Sequence, residues 1–198
     1  MESKNLIIIV VAVVVVLLVA AVAGAFAFGL LNFNSSAQFD ESLKSAYSSQ
    51  GNISDELFDL DVDYESNTSV KKAIKDTESW QKDNDKTKEY LNTALTQTNN
   101  DTEKQYVNLL IEQNKILDRA LKLLTKMLKS FKDYHDGKID VTKLYSEVTD
   151  QSNKFTSLTD DIEKNHDEIR DLLKDHPDLE DRLKTLGIKS SFIGDSDS

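Results

Sequence analysis

Hydrophobic residues recur every three or four positions along most of the chain after residue 67. This spacing matches the turn of an α-helix and predicts long amphipathic helices. The clearest covers residues 101–135, where Asn100 can cap the first turn and Glu103 takes the third helical position. Two neighbouring apolar stripes run along this segment, which suits a helix packed between two others. We therefore expect residues 101–135 to form a central helix.

Two further segments of similar length flank the central one. Residues 68–98 are interpreted as one helix with a polar middle, and a break at residues 81–89 into two helices is an alternative. Residues 140–175 carry an apolar stripe at the same spacing and stop before Pro177, since a proline disfavours helix in the residue before it. Gly137 lies in the short connection before this segment and suits the left-handed conformation that ends a helix.

Shorter helices are predicted at residues 178–186 and 36–49. Because short connections join the three long segments, consecutive helices should run antiparallel. The sequence thus predicts an all-α fold, an elongated antiparallel three-helix bundle about 50 Å long at about 1.5 Å per residue. The bundle has four helices if the segment at 36–49 packs with the others.

Residues 6–31 form an unbroken run of Leu, Ile, Val, Ala, Phe and Gly. As a helix this run would reach about 39 Å, more than the roughly 30 Å hydrocarbon core of a bilayer. We expect a single transmembrane helix that anchors the chain in the cell membrane. The alternative is a cleaved signal peptide, whose apolar region usually has about 7–15 residues. Because Lys4 precedes the run, the positive-inside rule places the N-terminus in the cytoplasm and residues 32–198 outside.

The chain carries 24 basic and 35 acidic side chains, a formal net charge of −11 at pH 7. This charge repels phosphate backbones, so nucleic acid is not an expected partner. The absence of cysteine excludes disulfides and cysteine-based metal sites, so the external region must be held by packing. The predicted organisation is a cytoplasmic stub (1–5), the anchor (6–31), a membrane-proximal segment (32–67), an extracytoplasmic bundle (68–187) and a mobile tail (188–198).

Three asparagines are predicted to meet in one polar layer of the apolar core. Counting residues from the helix connections places Asn84 opposite Asn114, with Asn165 about one turn away on the third long helix. A buried asparagine between helices usually fixes their register at a cost in stability. A binding site for a small polar ligand is the alternative interpretation of this layer.

Four Asn-x-Ser/Thr sequons occur, at Asn34, Asn52, Asn67 and Asn100. All four fall in predicted loops or at helix ends, where an external domain could be glycosylated. An Asn- and Ser-rich chain also produces such triplets by chance, so both interpretations stand.

The segment from Asp59 to Asp63 alternates acidic and apolar residues and superficially matches the start of a calcium-binding loop. Tyr64 and Val70 occupy the positions where such a loop needs Gly and Glu, so we expect an extended strip on the bundle instead. In that strip Phe58, Leu60, Val62 and Tyr64 face the bundle. The three histidines form no metal-ligand pattern, and no nucleophile–base grouping or phosphate-binding glycine loop is present. We therefore expect no enzyme activity, cofactor or metal.

The segment Lys4-Asn-Leu-Ile-Ile-Ile-Val, its long Val/Ala/Gly run and the acidic, cysteine-free, sequon-bearing helical region resemble the N-terminally anchored, single-pass surface proteins of methanogenic archaea. The resemblance covers the anchor and the composition, and it implies a cell-surface location without a biochemical activity. We expect a membrane-anchored, non-enzymatic scaffold or protein-interaction module, with a protein partner or self-association. The alternative is an extracytoplasmic sensing or small-ligand-binding module.

Overall fold

The computed structural model describes residues 37–186, and this part of the chain is entirely helical apart from short connections. The five helices are α1 (Ala37–Phe58), α2 (Asn67–Gln97), α3 (Asp101–His135), α4 (Val141–Asp175) and α5 (Pro177–Thr185). The predicted anchor at 6–31, Asn34 and the tail at 188–198 lie outside the described residues. Within the described range, no helix is both long enough and apolar enough to cross a membrane.

The predicted bounds of α2 to α5 agree with the structure to within about one residue. Helix α2 runs without a break through its polar middle, so the single-helix interpretation is correct. The Asn100 side chain caps α3, since its Oδ1 accepts hydrogen bonds from the backbone N–H groups of Thr102 (2.9 Å) and Glu103 (3.1 Å). Gly137 has a φ of 71°, the left-handed conformation predicted for this position.

Helix α1 corrects two predictions. It has 22 residues, continues beyond residue 49 to Phe58, and buries one face in the core. The described bundle therefore begins at Ala37 rather than at 68, and it contains four long helices, so the three-helix version of the fold is wrong. The apolar period of α1 crosses a polar position, Gln50, and resumes at Ile53 and Leu57, which is why the pattern looked as if it ended early.

Each long helix packs most closely against its neighbours in the chain, so the four run alternately up and down. One end of the bundle, the distal end, holds the α3–α4 connection, where the side-chain amide of Asn67 donates to Asp136 Oδ1 (3.2 Å). The opposite, proximal end holds the start of α1, where Asp40 pairs with Arg182 of α5. The first and last described helices therefore meet at one end.

The apolar core divides into two clusters along the bundle axis. The distal cluster contains, among others, Leu57, Trp80, Leu124, Phe131 and Phe155. The proximal cluster contains, among others, Phe39, Leu43, Leu91, Val107 and Leu172, together with Leu179 and Leu183 of α5. The boundary between the clusters coincides with buried polar residues on all four long helices.

The connection between α1 and α2 lies on the distal cluster. Leu60, Val62 and Tyr64 are partly buried there, as predicted for the extended strip. Phe58 was predicted to face the bundle too, and this is wrong, because it belongs to the last turn of α1 and is 75% exposed. The imidazole Nε2 of His135 lies 2.9 Å from the backbone oxygen of Tyr64 and joins the connection to the end of α3.

Candidate functional site

Two of the predicted polar-layer residues, Asn84 of α2 and Asn114 of α3, bond directly to each other. The amide nitrogen of Asn114 donates to Asn84 Oδ1 (2.6 Å) and to the Asn84 backbone oxygen (3.1 Å). The amide nitrogen of Asn84 donates in return to the Asn114 backbone oxygen (3.1 Å). Both side chains are almost fully enclosed, at 1% and 2% exposure. This reciprocal pair connects α2 and α3 at one alignment.

The third predicted member, Asn165 of α4, lies in the seam between α3 and α4. Its amide nitrogen donates to the Leu109 backbone oxygen (2.9 Å), and no hydrogen bond among the described residues links it to the Asn84–Asn114 pair. The neighbouring His166 contacts Gln113, with 3.3 Å between the two Nε2 atoms. Asn165 Oδ1 and Gln113 Oε1 are buried and have no hydrogen-bond partner among the described residues. The three predicted residues therefore lie in two separate seams, α2–α3 and α3–α4, which share α3.

A further buried amide side chain, Gln50 of α1, lies at the same level of the bundle, and it was not predicted from the sequence. Gln50 is 4% exposed, and its amide nitrogen has no hydrogen-bond partner within residues 37–186. The hydroxyl of the preceding Ser49 donates to the Asp83 backbone oxygen (3.1 Å), so Gln50 lies level with Asn84. Each long helix thus contributes a buried amide side chain where the two core clusters separate.

A second polar contact joins α2 and α3 about two turns further towards the distal end. The hydroxyls of Thr77 and Thr125 lie 3.1 Å apart, and the amide nitrogen of Gln81 donates to the Thr125 hydroxyl (3.0 Å). Both threonines are buried. A polar contact made by a threonine within an apolar stripe is hard to predict from the sequence, because the methyl group of threonine packs as that of valine does.

The proximal end holds an ion cluster that links three helices. Arg182 of α5 donates through Nη2 to Asp40 Oδ1 of α1 (2.7 Å) and through Nη1 to a carboxylate oxygen of Glu103 of α3. The three side chains are only 16%, 15% and 12% exposed. The guanidinium carbon also lies 4.9 Å from the centroid of the Phe39 ring. Sequence periodicity could not reveal this cluster, because its members are far apart in the chain.

Next to the ion cluster, a buried tyrosine pair connects α1 and α3. The hydroxyls of Tyr47 and Tyr106 share a hydrogen bond. Burial raises the pKa of both phenols well above its usual value, so both stay neutral at physiological pH.

The structure separates the described sequons by accessibility. Asn52 and Asn100 are exposed, although Asn52 lies within α1 and the hydroxyl residue of its sequon, Ser54, is buried. The amide nitrogen of Asn67 already donates to Asp136, and its Oδ1 is enclosed without a hydrogen-bond partner. The folded bundle therefore leaves Asn100 the most accessible of the three.

The acidic segment before α2 carries no arrangement of metal ligands. Asp63 Oδ1 accepts a hydrogen bond from the backbone N–H of Glu65 (3.0 Å), a local turn. Among residues 37–186, no three His, Asp or Glu side chains are grouped so that they could hold a metal ion.

Comparisons with known proteins give no match of any kind. No protein-family model, curated protein or solved structure matches the chain. The resemblance to anchored archaeal surface proteins thus stays an expectation from the sequence, and the function must be argued from the geometry.

Proposed function

We propose that the chain is a membrane-anchored, extracytoplasmic helical bundle that acts as a non-enzymatic scaffold or protein-interaction module. The observation that carries the proposal is the placement of its exposed apolar side chains. Among the described residues, four large apolar side chains are exposed, and three of them, Phe58, Val141 and Tyr145, lie at the distal end. Three exposed apolar side chains at the same end of the bundle make that end the candidate contact surface.

The position of the apolar run at residues 6–31 supports this arrangement. Only residues 32–36 separate it from α1, and the first turn of α1 is at the proximal end of the bundle. An anchor there would hold the proximal end near the bilayer and present the distal end about 50 Å away, given about 1.5 Å per residue in α3. A bundle of this shape is suited to displaying a contact site above a membrane.

Site-specific photo-crosslinking tests the proposal on the full-length chain in its native membranes. A photoreactive residue replaces Phe58 or Tyr145 at the distal end, and Tyr90, the fourth exposed apolar residue, serves as the matched control on the side of α2. We expect crosslinked products from the two distal positions and not from Tyr90. Protease added to intact cells should remove these products and leave the anchor behind. Equal crosslinking from all three positions, or full protection from protease, would contradict the proposal.

A small-ligand-binding module is the second candidate, and one observation favours it. Gln50, Gln113 and Asn165 each bury an amide atom that has no hydrogen-bond partner among the described residues. Such atoms are usually satisfied by water or by a ligand. Native mass spectrometry of the purified full-length protein tests this candidate, since a bound small molecule would be retained and would be lost after Gln113→Leu. A mass equal to that of the bare chain would exclude a retained ligand.

A further inference from the structure

The end of α1 presents a phenylalanine to solvent among carboxylates. Phe58 is 75% exposed in the last turn of α1, whereas its neighbour Leu57 is fully buried. Asp55 lies one turn earlier on the same side of the helix, and Asp59 follows Phe58 directly. Covering a large exposed aromatic side chain is favourable, so this position gains free energy when another molecule packs on it.

The chain around Phe58 carries negative charge that no nearby cation balances. Residues 45–70 contain six acidic side chains and no lysine, arginine or histidine. All six are exposed, and none of them forms an ion pair within residues 37–186. Elsewhere in the distal half, by contrast, Glu78 pairs with Lys129 across the α2–α3 seam. We call Phe58 together with these six acids the acidic face: Asp55, Glu56, Asp59, Asp61, Asp63 and Glu65.

The core beneath the acidic face holds it in place. Exposure alternates along residues 59–65, so the acids point outward and the apolar residues between them are partly buried on the distal cluster. The ring centroids of Tyr64 and Phe131 lie 4.9 Å apart. The indole N–H of Trp80 donates to a carboxylate oxygen of Glu56. A partner therefore meets carboxylates that are already positioned, which reduces the entropy lost on binding.

We propose that the acidic face binds a basic segment of a partner protein, one that carries an apolar residue among its lysines or arginines. The apolar residue covers Phe58, and the cations pair with the carboxylates around it. Charge complementarity selects this partner, because the like charges of the acidic face repel one another until a cation is brought in. This inference rests on the proposed function, since it names the chemistry of the partner that the distal end contacts.

Other occupants fit the acidic face less well. Nucleic acid and anionic lipid headgroups carry the same sign of charge and are repelled. A second copy of a chain with a formal net charge of −11 is repelled as a whole. A metal ion needs converging ligands, and no three His, Asp or Glu side chains are grouped to supply them in the part of the chain that the structure describes. An exposed phenylalanine contributes nothing to binding a metal ion, whereas it suits a protein segment.

Binding of synthetic peptides to the purified full-length chain in a non-ionic detergent tests the inference. The first peptide alternates lysine with alanine and carries one central leucine, because alternate positions of the acidic face point outward. A second peptide has serine in place of the leucine, and a third has glutamate in place of every lysine. Fluorescence anisotropy of a label on each peptide measures the dissociation constant. We expect the leucine peptide to bind most tightly, more weakly as salt screens the charges, and the glutamate peptide not to bind.

Matched neutral substitutions separate the acidic face from the charge of the whole chain. The test variant neutralises three acids of the acidic face: Asp59→Asn, Asp61→Asn and Asp63→Asn. Asparagine at the third position keeps the Oδ1 acceptor that the backbone N–H of Glu65 uses. The control variant neutralises three exposed acids of α4 that form no ion pair among the described residues: Asp160→Asn, Glu163→Gln and Asp171→Asn. We expect the test variant to weaken binding of the leucine peptide by about tenfold and the control variant by less than about twofold.

Phe58→Ala tests the apolar half of the interaction. We expect it to weaken binding of the leucine peptide by about fivefold and to leave binding of the serine peptide unchanged, because only the leucine packs on the ring. Since Phe58 is exposed, its replacement removes no core contact, and circular dichroism checks that each variant keeps its helices.

Three results would overturn the inference. The leucine peptide does not bind the wild-type chain even at low salt, a result that depends on no variant. The test and control variants weaken binding equally, so the peptide responds to net charge alone. Phe58→Ala has the same effect on both lysine peptides, so the ring is not part of the site. Distal crosslinks in native membranes without peptide binding would leave the proposed function standing. Peptide binding by a chain that is fully protected from protease in cells would contradict the proposed function alone.

Discussion

Helix α3 forms one seam with α2 and another with α4, and the two seams accommodate buried amides differently. In the α2–α3 seam, Asn84 and Asn114 bond to each other, side chain to side chain and side chain to backbone. In the α3–α4 seam, Asn165 donates only to the backbone oxygen of Leu109. The same residue type at the same kind of core position thus has two structural roles.

The difference shows which seam specifies the alignment of the helices. Sliding α2 by one turn against α3 would separate Asn84 from Asn114 by about 5.4 Å and leave both amides buried without each other. Each unsatisfied buried group typically costs about 1–3 kcal/mol, so wrong alignments are penalised. Sliding α4 would bring Asn165 opposite another backbone oxygen, because a helix presents one on every turn. We therefore expect the register to be encoded mainly in the α2–α3 seam.

The largest expected effect comes from replacing Asn114 with leucine. Asn114→Leu leaves the Oδ1 of Asn84 buried without its donor, so we expect a loss of about 1–3 kcal/mol in the free energy of unfolding. Asn165→Leu is the matched control in the other seam, and it should change stability by less than about 1 kcal/mol, because it removes one hydrogen bond to a backbone oxygen and Asn165 Oδ1 has no partner to lose. Urea unfolding followed by circular dichroism measures both. Equal losses of unfolding free energy in the two variants would show that the two seams depend equally on their buried asparagines.

Replacing both asparagines of the pair tests the same difference between the two seams. Asn84→Leu combined with Asn114→Leu leaves no unmatched polar group, so it should recover most of the about 1–3 kcal/mol lost by the single change. Without the two amides, a wrong alignment of the helices no longer leaves a buried polar group unpaired. Sedimentation should then reveal additional association states. A double variant that keeps the wild-type association state would mean that apolar packing alone sets the register.

How much of this could be predicted from the sequence differs between the two seams. The pairing of Asn84 with Asn114 followed from counting residues across a short connection, because both helices are continuous and their caps are clear. The separate role of Asn165 could not be predicted, since its partner is a backbone oxygen and carries no sequence signal. The position of Gln50 was missed because it interrupts the apolar period of α1, which made that helix look shorter.

The proximal end was the least predictable region. Arg182 and Asp40 are separated by 142 positions, and helical periodicity relates only residues within a few turns. The sequence correctly predicted a short helix near residues 178–186, which the structure has at Pro177–Thr185. It could not indicate where that helix docks, because docking depends on the charges at the starts of α1 and α3.

The threonine contact offers a smaller test within the α2–α3 seam. Thr125→Val keeps the shape of the side chain but removes the acceptor of the Gln81 amide and the hydroxyl contact with Thr77. We expect a loss of about 1 kcal/mol in the free energy of unfolding. Thr156→Val on the exposed face of α4 is the control and should change it by less than about 0.5 kcal/mol. A loss of unfolding free energy as large as that of Asn114→Leu would indicate that the threonines, rather than the asparagines, fix the alignment of α2 and α3.

The smallest effect concerns Asp136, where the α2–α3 seam reaches the distal end. Hydrogen bonds from the Lys132 ammonium and the Asn67 amide hold the pKa of this carboxyl well below its usual value of 3.8, with Lys71 adding attraction. A carboxyl whose pKa is lower in the folded chain stabilises the fold above its unfolded pKa and loses that contribution as the pH falls towards the folded value. Asp136→Asn should therefore lower the thermal midpoint slightly at neutral pH, and the difference from wild type should shrink progressively as the pH falls below 3.8. Asp171→Asn, on the exposed face of α4, changes the formal charge equally and is the matched control. A difference between Asp136→Asn and wild type that stays constant across this pH range would mean that the carboxylate does not stabilise the distal end of the seam.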